Sequence, residues 1–119
     1  MTTEKSVRAK RVAELNDQLR KEPMNRSLGL VLVTARARAN GQPFVEKVLA
    51  AVAAMTPKDF KKGNDPYGEH DCNSFTVDNR LCLFKIDYYA KGDPYSGSED
   101  PSDPAKTDRV MTIMLASDY

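Results

Sequence analysis

The chain has 119 residues, of which 40% are hydrophobic and 29% charged, and its formal net charge is +1. These values fit one globular domain over residues 1–119 with a single hydrophobic core. No apolar run approaches the roughly 20 residues that a membrane span requires, and the charged N-terminus lacks the apolar core of a signal peptide. We therefore expect a cytoplasmic protein with no membrane contact.

The charge is unevenly distributed along the chain. Residues 1–38 carry nine Lys and Arg against four Asp and Glu, whereas residues 64–119 carry five against eleven. Nucleic-acid binding needs a cationic surface, so the acidic second half disfavours a domain that lies flat on nucleic acid. An acidic face can instead meet a partner protein that has a basic surface.

The first predicted element is a helix from Thr3 to Lys21, which Thr3 or Ser6 can cap. Its apolar residues recur at helical spacing and share one face: Val12, Leu15 and Leu19. Residues 1–22 thus form an N-terminal helix that either packs on the domain or projects as a peripheral arm. Its basic side chains belong either to a nucleic-acid contact or to a solvated helix face.

The next predicted elements are a strand from Leu28 to Arg38 and a helix from Gln42 to Met55. Apolar residues occupy both parities of the strand, so we expect other elements to cover both of its faces. Arg36 and Arg38 leave this strand on one side. The second helix has an apolar stripe wide enough to pack across a sheet.

Residues 74–90 read as a hairpin with a two-residue turn at Asp78-Asn79. This register puts the apolar residues of both strands on one face, whereas a slip by one residue would separate them. It also places Cys72 opposite roughly Lys85 and not opposite Cys82. We therefore expect two free cysteines.

Residues 91–107 read as a long acidic loop, because they contain three Pro, two Gly and four Asp or Glu. The last strand runs from Arg109 to Ser117 and is apolar at both parities, which is typical of a central strand. The element order is α-β-α-β-β-β. It predicts an α+β fold in which two helices pack on a mainly antiparallel sheet of about four strands.

The highest concentration of polar side chains that could bind a ligand or form hydrogen bonds lies in the stretch from Asn64 to Cys72, which reads NDPYGEHDC. One interpretation is a metal site at Glu69, His70 and Asp71, joined by Asp65 or Asp87. Against it, His70 is the only histidine, and neighbours in an extended segment point in opposite directions.

A second interpretation is a hydrogen-bonded loop. Asn64 and Asp65 would make side-chain turns, Gly68 would take an unusual dihedral angle, and a carboxylate would hold His70. This interpretation predicts no cofactor.

A third interpretation is hydrolysis, with His70 as general base oriented by Asp71 or Asp87. The nucleophile would be Cys72, Ser74 or a water molecule. No Gly-rich motif for an oxyanion or a phosphate accompanies it.

A fourth interpretation is a protein-binding patch. In the predicted strand, Tyr88 points inward and Tyr89 outward. An outward Tyr89 beside acidic residues and other tyrosines would form a recognition surface, since Tyr supplies contact area at low entropy cost. An ordinary cross-strand aromatic and a solvated loop fit the pattern equally well. The candidate binding residues are Asp65, Tyr67, Glu69, His70, Asp71, Asp87, Tyr89 and Tyr95.

Two stretches, NDPYGEHDCNSFTVDNRLCLFKIDYYA and SEDPSDPAKTDRVMTIMLASDY, carry a resemblance. They are similar to an uncharacterised bacterial family, a domain of unknown function found on plasmids, integrated elements and phages. Its hallmarks are NDPxGEHDFG, KIDYYD, DPADPxxT and RVLTIMLAxEY. The chain departs from them at Cys72-Asn73, where the family has Phe-Gly. The resemblance implies a fold and a mobile-element setting but no activity or catalytic residue.

We therefore expect a non-catalytic mobile-element protein that binds a host protein or defence complex with a basic surface. It would inhibit or assist a nucleic-acid-targeting defence system, either restriction or CRISPR. The first alternative is a metal-dependent hydrolase or nuclease centred on Glu69, His70 and Asp71. The second is a DNA-binding regulator whose contacts are basic residues of the N-terminal half: Arg8, Arg11, Arg36 and Arg38.

Overall fold

The computed structural model describes residues 3–61, 63 and 65–119. Its helices are α1 (Glu4–Lys21), α2 (Ala35–Arg38) and α3 (Gln42–Ala54). Its strands are β1 (Leu30–Val33), β2 (Cys72–Val77), β3 (Arg80–Ala90), β4 (Asp93–Gly97) and β5 (Thr107–Leu115). The predicted α+β fold is confirmed. No helix of this described part is both long and apolar enough to cross a bilayer.

The strands form one sheet in the order β1-β5-β3-β2, and β4 pairs with the end of β3. The β2–β3, β3–β4 and β3–β5 pairings are antiparallel, whereas β1 runs parallel to β5. The sheet is therefore mixed, with β5 in a central position as predicted. The parallel pair arises because α2 and α3 carry the chain away from β1, and the hairpin strands join the sheet before β5 fills its centre.

One face of the sheet packs against α1 and α3 to form the core. Leu19 of α1 and Val48 of α3 are both fully buried there. The strands contribute their inward residues, among them Phe84 of β3 and Ile113 of β5. Since Leu19 lies inside this cluster, α1 is part of the packed domain.

Helix α1 begins where the sequence predicts. The hydroxyl of Thr3 accepts a hydrogen bond from the backbone N–H of Ser6, and the Ser6 side chain bonds back to Thr3. This reciprocal capping box satisfies backbone donors that the first turn of a helix leaves unpaired. The helix ends at Lys21, two residues before Pro23.

The predicted strand over Leu28–Arg38 is wrong in its second half. Strand β1 ends at Val33, and Ala35–Arg38 form the short helix α2. Thr34 caps this helix by accepting a hydrogen bond from the Ala37 N–H. The Ala-Arg repeat is helix-forming, and with a capping Thr before it the local preference overrides the strand pattern. The expectation that other elements cover both faces of this strand is also wrong, because Leu32 is exposed on one face of β1. Strand β1 lies at an edge of the sheet.

The predicted loop over residues 91–107 is also wrong, because it contains regular structure. Strand β4 pairs with β3 after a tight turn at Gly92, which has φ +75°. A 3-10 turn over Pro104–Lys106 then leads into β5. The Pro and Gly residues that suggested a loop instead mark the boundaries of these short elements.

The predicted hairpin register is confirmed. Val77 pairs with Arg80, and Cys72 lies opposite Lys85. The two turn residues, Asp78 and Asn79, have φ of 50° and 61°, as a type I′ turn requires. Cys72 and Cys82 are both free, which also agrees with the prediction.

Candidate functional site

The segment from Asp65 to Asp71 is shaped by its own first carboxylate. Oδ1 of Asp65 accepts hydrogen bonds from the backbone N–H of Glu69 at 2.9 Å and of His70 at 3.1 Å. Gly68 and His70 have φ of 70° and 56°, in the left-handed region. The predicted side-chain turn at Asp65 is confirmed, whereas Asn64 lies outside the described residues.

His70 is held between two carboxylates. Its Nδ1 lies 2.9 Å from Oδ1 and 3.2 Å from Oδ2 of Asp17 on α1, and its Nε2 lies 3.9 Å from Oδ2 of Asp65. A carboxylate only accepts hydrogen bonds, so Nδ1 donates to Asp17. The expectation that a carboxylate holds His70 is confirmed, but the orienting residue is neither Asp71 nor Asp87.

The same carboxylate also contacts a buried arginine. Arg20, whose side chain is 1% exposed, forms an ion pair with Asp17. Its Nη1 donates to the carbonyl oxygens of Val52 and Met55, which end α3, at 2.9 and 3.2 Å. The ring of Phe60 lies beneath the Arg20 guanidinium at 5.0 Å and also stacks on the His70 ring at 4.6 Å. These contacts tie α1, α3 and the loop into one unit.

A second polar cluster is centred on Asn16, which is fully buried. Its Nδ2 donates to the Glu69 carbonyl oxygen at 3.0 Å and to the Tyr88 hydroxyl oxygen at 2.9 Å. Its Oδ1 accepts from Nε of Arg109 at 2.6 Å. The Tyr88 hydroxyl in turn donates to the Glu69 carboxylate at 3.0 Å. Burial raises the pKa of Tyr88 and lowers that of Arg109, so Tyr88 stays a donor.

The carboxylates around Asp71 repel one another. Burial raises the pKa of Asp71 to about 6, and the negative charges of Glu69, Asp65 and Asp87 add to this rise. Burial and the charge of Asp71 also raise the pKa of the Cys72 thiol. A raised pKa lowers the thiolate fraction, so Cys72 is a poor nucleophile at neutral pH.

The contacts of the Glu69 and His70 side chains concern the interpretation of the loop as a metal site. The side chains of Glu69 and His70 are engaged by different partners, Tyr88 and Asp17. Over residues 3–61, 63 and 65–119, no three His, Cys, Asp or Glu side chains are grouped so that they could hold a metal ion.

The predicted tyrosine patch is divided between two places. Tyr67, 68% exposed, lines a cleft of about 760 Å³ between the first turns of α1 and residues 99–102. Tyr89 lines a different groove of about 550 Å³, beside β1 and β5. Tyr95 is 97% exposed on β4, and Asp87 pairs with Lys85 at 2.8 Å. The structure therefore does not bring these residues together in one recognition surface.

The four candidate nucleic-acid contacts are also divided. On α1, Arg8 pairs with Glu4 at 3.0 Å and Arg11 with Glu14 at 3.4 Å. On α2, the Arg36 side chain lies 3.3 Å from an Asp118 carboxylate oxygen.

The Arg38 Nε donates to the Val33 carbonyl oxygen at 3.0 Å. Each of the four arginines thus contacts an acceptor in its own chain. Arg8 and Arg11 lie on α1, whereas Arg36 and Arg38 lie on α2.

Sequence reasoning missed the residues that hold the loop in place: Asn16, Asp17, Phe60, Arg20 and Arg109. One signal was available. Asn16 follows Val12 by four residues, and Arg20 follows Asn16 by four, so both polar residues continue the apolar stripe of α1. A polar residue at such a position must find a buried partner.

Comparison with family models matches residues 33–118 to the model described as "Protein of unknown function (DUF3768)". The searches of curated proteins and of solved structures gave no match.

Proposed function

The chain belongs to the DUF3768 family of proteins of unknown function, and on that premise we propose that it acts by binding a partner protein and not by turnover. The proposal rests on one observation about the polar loop. The side chains of Asp65, Glu69 and His70 all make contacts within the domain. These contacts stabilise a fixed surface beside the loop.

The binding surface that we propose is the cleft beside Tyr67. Its charged lining comprises four carboxylates and two cations: Glu4, Glu69, Glu99, Asp100, Lys5 and Arg8. The pairs Arg8–Glu4 and Lys106–Glu99 each cancel one negative charge. The remaining carboxylates, Glu69 and Asp100, outnumber the remaining cation, Lys5, so the cleft retains negative charge. Hydrogen bonds from Ser102 lower the pKa of Asp100, which keeps that carboxylate ionised at neutral pH.

The lining of the cleft fits a long cationic side chain. Ala9, Val12 and Pro101 offer apolar contacts to an aliphatic stem. The exposed ring of Tyr67 can receive the charged end, because cations are attracted to aromatic faces. The partner is therefore a protein that presents Lys or Arg, and electrostatic attraction would also speed its association.

A basic surface of this kind is typical of proteins that bind nucleic acid. The mobile-element setting implied by the sequence resemblance points to a particular class of these. We propose that the chain is an inhibitor or accessory factor of a nucleic-acid-targeting defence system of the bacterial host, either restriction or CRISPR. The acidic second half of the chain supports this proposal, because it carries six more acidic than basic residues between positions 64 and 119.

One observation favours a second candidate, a hydrolase centred on His70. The Asp17 carboxylate contacts Nδ1 of His70, which is how a general base is oriented in hydrolytic triads. However, Nε2 faces the carboxylate of Asp65 and not a hydroxyl or thiol. Metal analysis and thermal unfolding with and without chelator test the metal-dependent version, which requires a bound ion and a lower Tm after chelation.

The proposal is tested by capture from a bacterial host lysate and by phage plating on a host with an active defence. Wild-type protein should capture a basic partner in stoichiometric amounts and raise plating efficiency. The Tyr67→Ala/Glu99→Lys variant should lose both effects, since both side chains are exposed in the cleft. Tyr95→Ala changes a tyrosine on β4 that is even more exposed than Tyr67 and should retain both effects. Capture and plating that are the same for all three proteins would overturn the proposal.

A further inference from the structure

Two carboxylates that line the cleft beside Tyr67 are held in place by only one of their oxygens. Oε1 of Glu69 accepts a hydrogen bond from the Tyr88 hydroxyl at 3.0 Å, and Oδ1 of Asp100 accepts two hydrogen bonds from Ser102. In the part of the chain that the structure describes, the second oxygen of each carboxylate has no hydrogen-bond donor and no cation paired with it. Each carboxylate therefore leaves one oxygen available to an incoming cation.

One cation of the chain itself already lies at this cleft. Arg8 lines the α1 side, where its Nη2 lies 3.0 Å from Oε1 of Glu4. On the opposite side, hydrogen bonds from Ser102 lower the pKa of Asp100, and the positive charge of Arg8 adds to this lowering. The charge of Arg8 thus acts across the cleft, although its ion pair is formed within α1. The cleft accommodates a guanidinium group.

The contact that holds Arg8 is easily exchanged. Its side chain is 57% exposed, and that of Glu4 is 82% exposed. An ion pair as exposed as this one contributes little to stability, because water screens the charges and the long side chains lose freedom when they pair. Rotation of the Arg8 side chain into solvent therefore costs little and makes room in the cleft for a cation from another protein.

Building on the proposed function, we propose that the cleft binds an arginine of the partner protein and that Arg8 is an internal competitor for the same place. A guanidinium is a planar fork with five N–H donors, so one group can contact carboxylates on different elements, as Glu69 and Asp100 are. Its flat face can also stack on the exposed ring of Tyr67. The ammonium group of lysine is a strongly hydrated point charge that does not stack in this way. The cleft therefore prefers arginine to lysine.

Two short peptides with blocked termini test this inference, one with a single arginine between glycines and the other with lysine in its place. NMR titration of the full chain gives the affinity of each peptide. The arginine peptide should bind at least about threefold more tightly than the lysine peptide. Arg8→Gln should bind the arginine peptide at least about threefold more tightly than the wild type does, because the competitor is removed. Lys5→Gln, the matched control, removes another exposed cation from the α1 side and should gain less.

Three results would overturn the inference. Equal gains in Arg8→Gln and Lys5→Gln would show that net charge alone matters. Equal affinity for the two peptides would show that the guanidinium is not selected, and the absence of shifts with either peptide at about 20 mM would show that the cleft does not bind an arginine alone.

The Tyr67→Ala/Glu99→Lys variant separates this inference from the proposed function. If it binds the arginine peptide as tightly as the wild type does, the cleft is not the binding surface and both proposals fail. If the wild type captures a basic partner through the cleft but Arg8→Gln has the affinity of the wild type for the arginine peptide, only the role of Arg8 fails.

Discussion

Nδ1 of His70 lies 2.9 Å from Oδ1 of Asp17, a residue 53 positions earlier in the chain. This contact joins the polar loop to α1 at the point where Arg20 joins α1 to the end of α3. The loop therefore owes its shape to a helix that is remote in sequence. The rigidity of the surface beside Tyr67 therefore depends on these contacts.

Substitution of His70 should show how much the junction stabilises the domain. His70→Val removes the contact with Asp17 and places a β-branched residue at φ 56°, where such residues are strongly disfavoured. We expect the free energy of unfolding in urea to fall by about 3 kcal/mol. His70→Asn tolerates the left-handed conformation and keeps a donor, so it should lose about 1 kcal/mol. Equal losses for the two variants would contradict this account, because Asn keeps the donor and the left-handed conformation that Val removes.

Asn16 and Tyr88 should prove energetically coupled. Asn16→Ala leaves Nε of the buried Arg109 guanidinium without its acceptor, while Nη2 keeps the Pro101 carbonyl oxygen, and should cost about 3 kcal/mol of unfolding free energy. Tyr88→Phe removes the hydroxyl that Asn16 and Glu69 share, and should cost about 1 kcal/mol. The double variant should lose less than the sum by about 1 kcal/mol. Gln18→Ala, at an exposed position of α1, is the control and should change little. Strict additivity would contradict a single cluster.

Asp71 should make the stability depend on pH. Its pKa of about 6 in the folded protein exceeds the ordinary value of 3.8, so the folded state binds more protons between these two values. The contribution of Asp71 to the free energy of unfolding is therefore greatest below pH 3.8 and declines as the pH rises through 6.

Asp71→Asn abolishes this titration and should stabilise the protein at pH 8 by about 1 kcal/mol, after a discount for solvent screening. At pH 3.5 the variant and the wild type should have the same stability. Urea unfolding at both pH values checks this, and a gain of equal size at both would contradict the assigned cause.

The parts of the structure that local pattern determines were predictable from the sequence. The Thr3 cap, the hairpin turn at Asp78-Asn79 and the central strand β5 each follow from a short stretch of residues. The failures lie where two local signals compete. Thr34 can cap a helix although it lies within an apolar strand pattern, and the residues after it form the helix α2.

The partners of the loop could not be predicted, because they lie far away in the chain. Nothing near His70 indicates Asp17, and nothing near Glu69 indicates Asn16. Only the polar residues within the apolar stripe of α1 signal that a buried cluster exists. The division of Tyr67 from Tyr89 likewise depends on how the loop folds towards α1, which is set by these distant contacts.

The affinity of the captured partner for the cleft tests the central claim most directly. Isothermal titration of the purified partner with wild-type protein should give tight binding that weakens as salt rises from 50 to 300 mM, because the contact is between opposite charges. The Tyr67→Ala/Glu99→Lys variant should bind at least tenfold more weakly, and Tyr95→Ala should bind like the wild type. Equal affinity of the cleft variant and the wild type would contradict the claim.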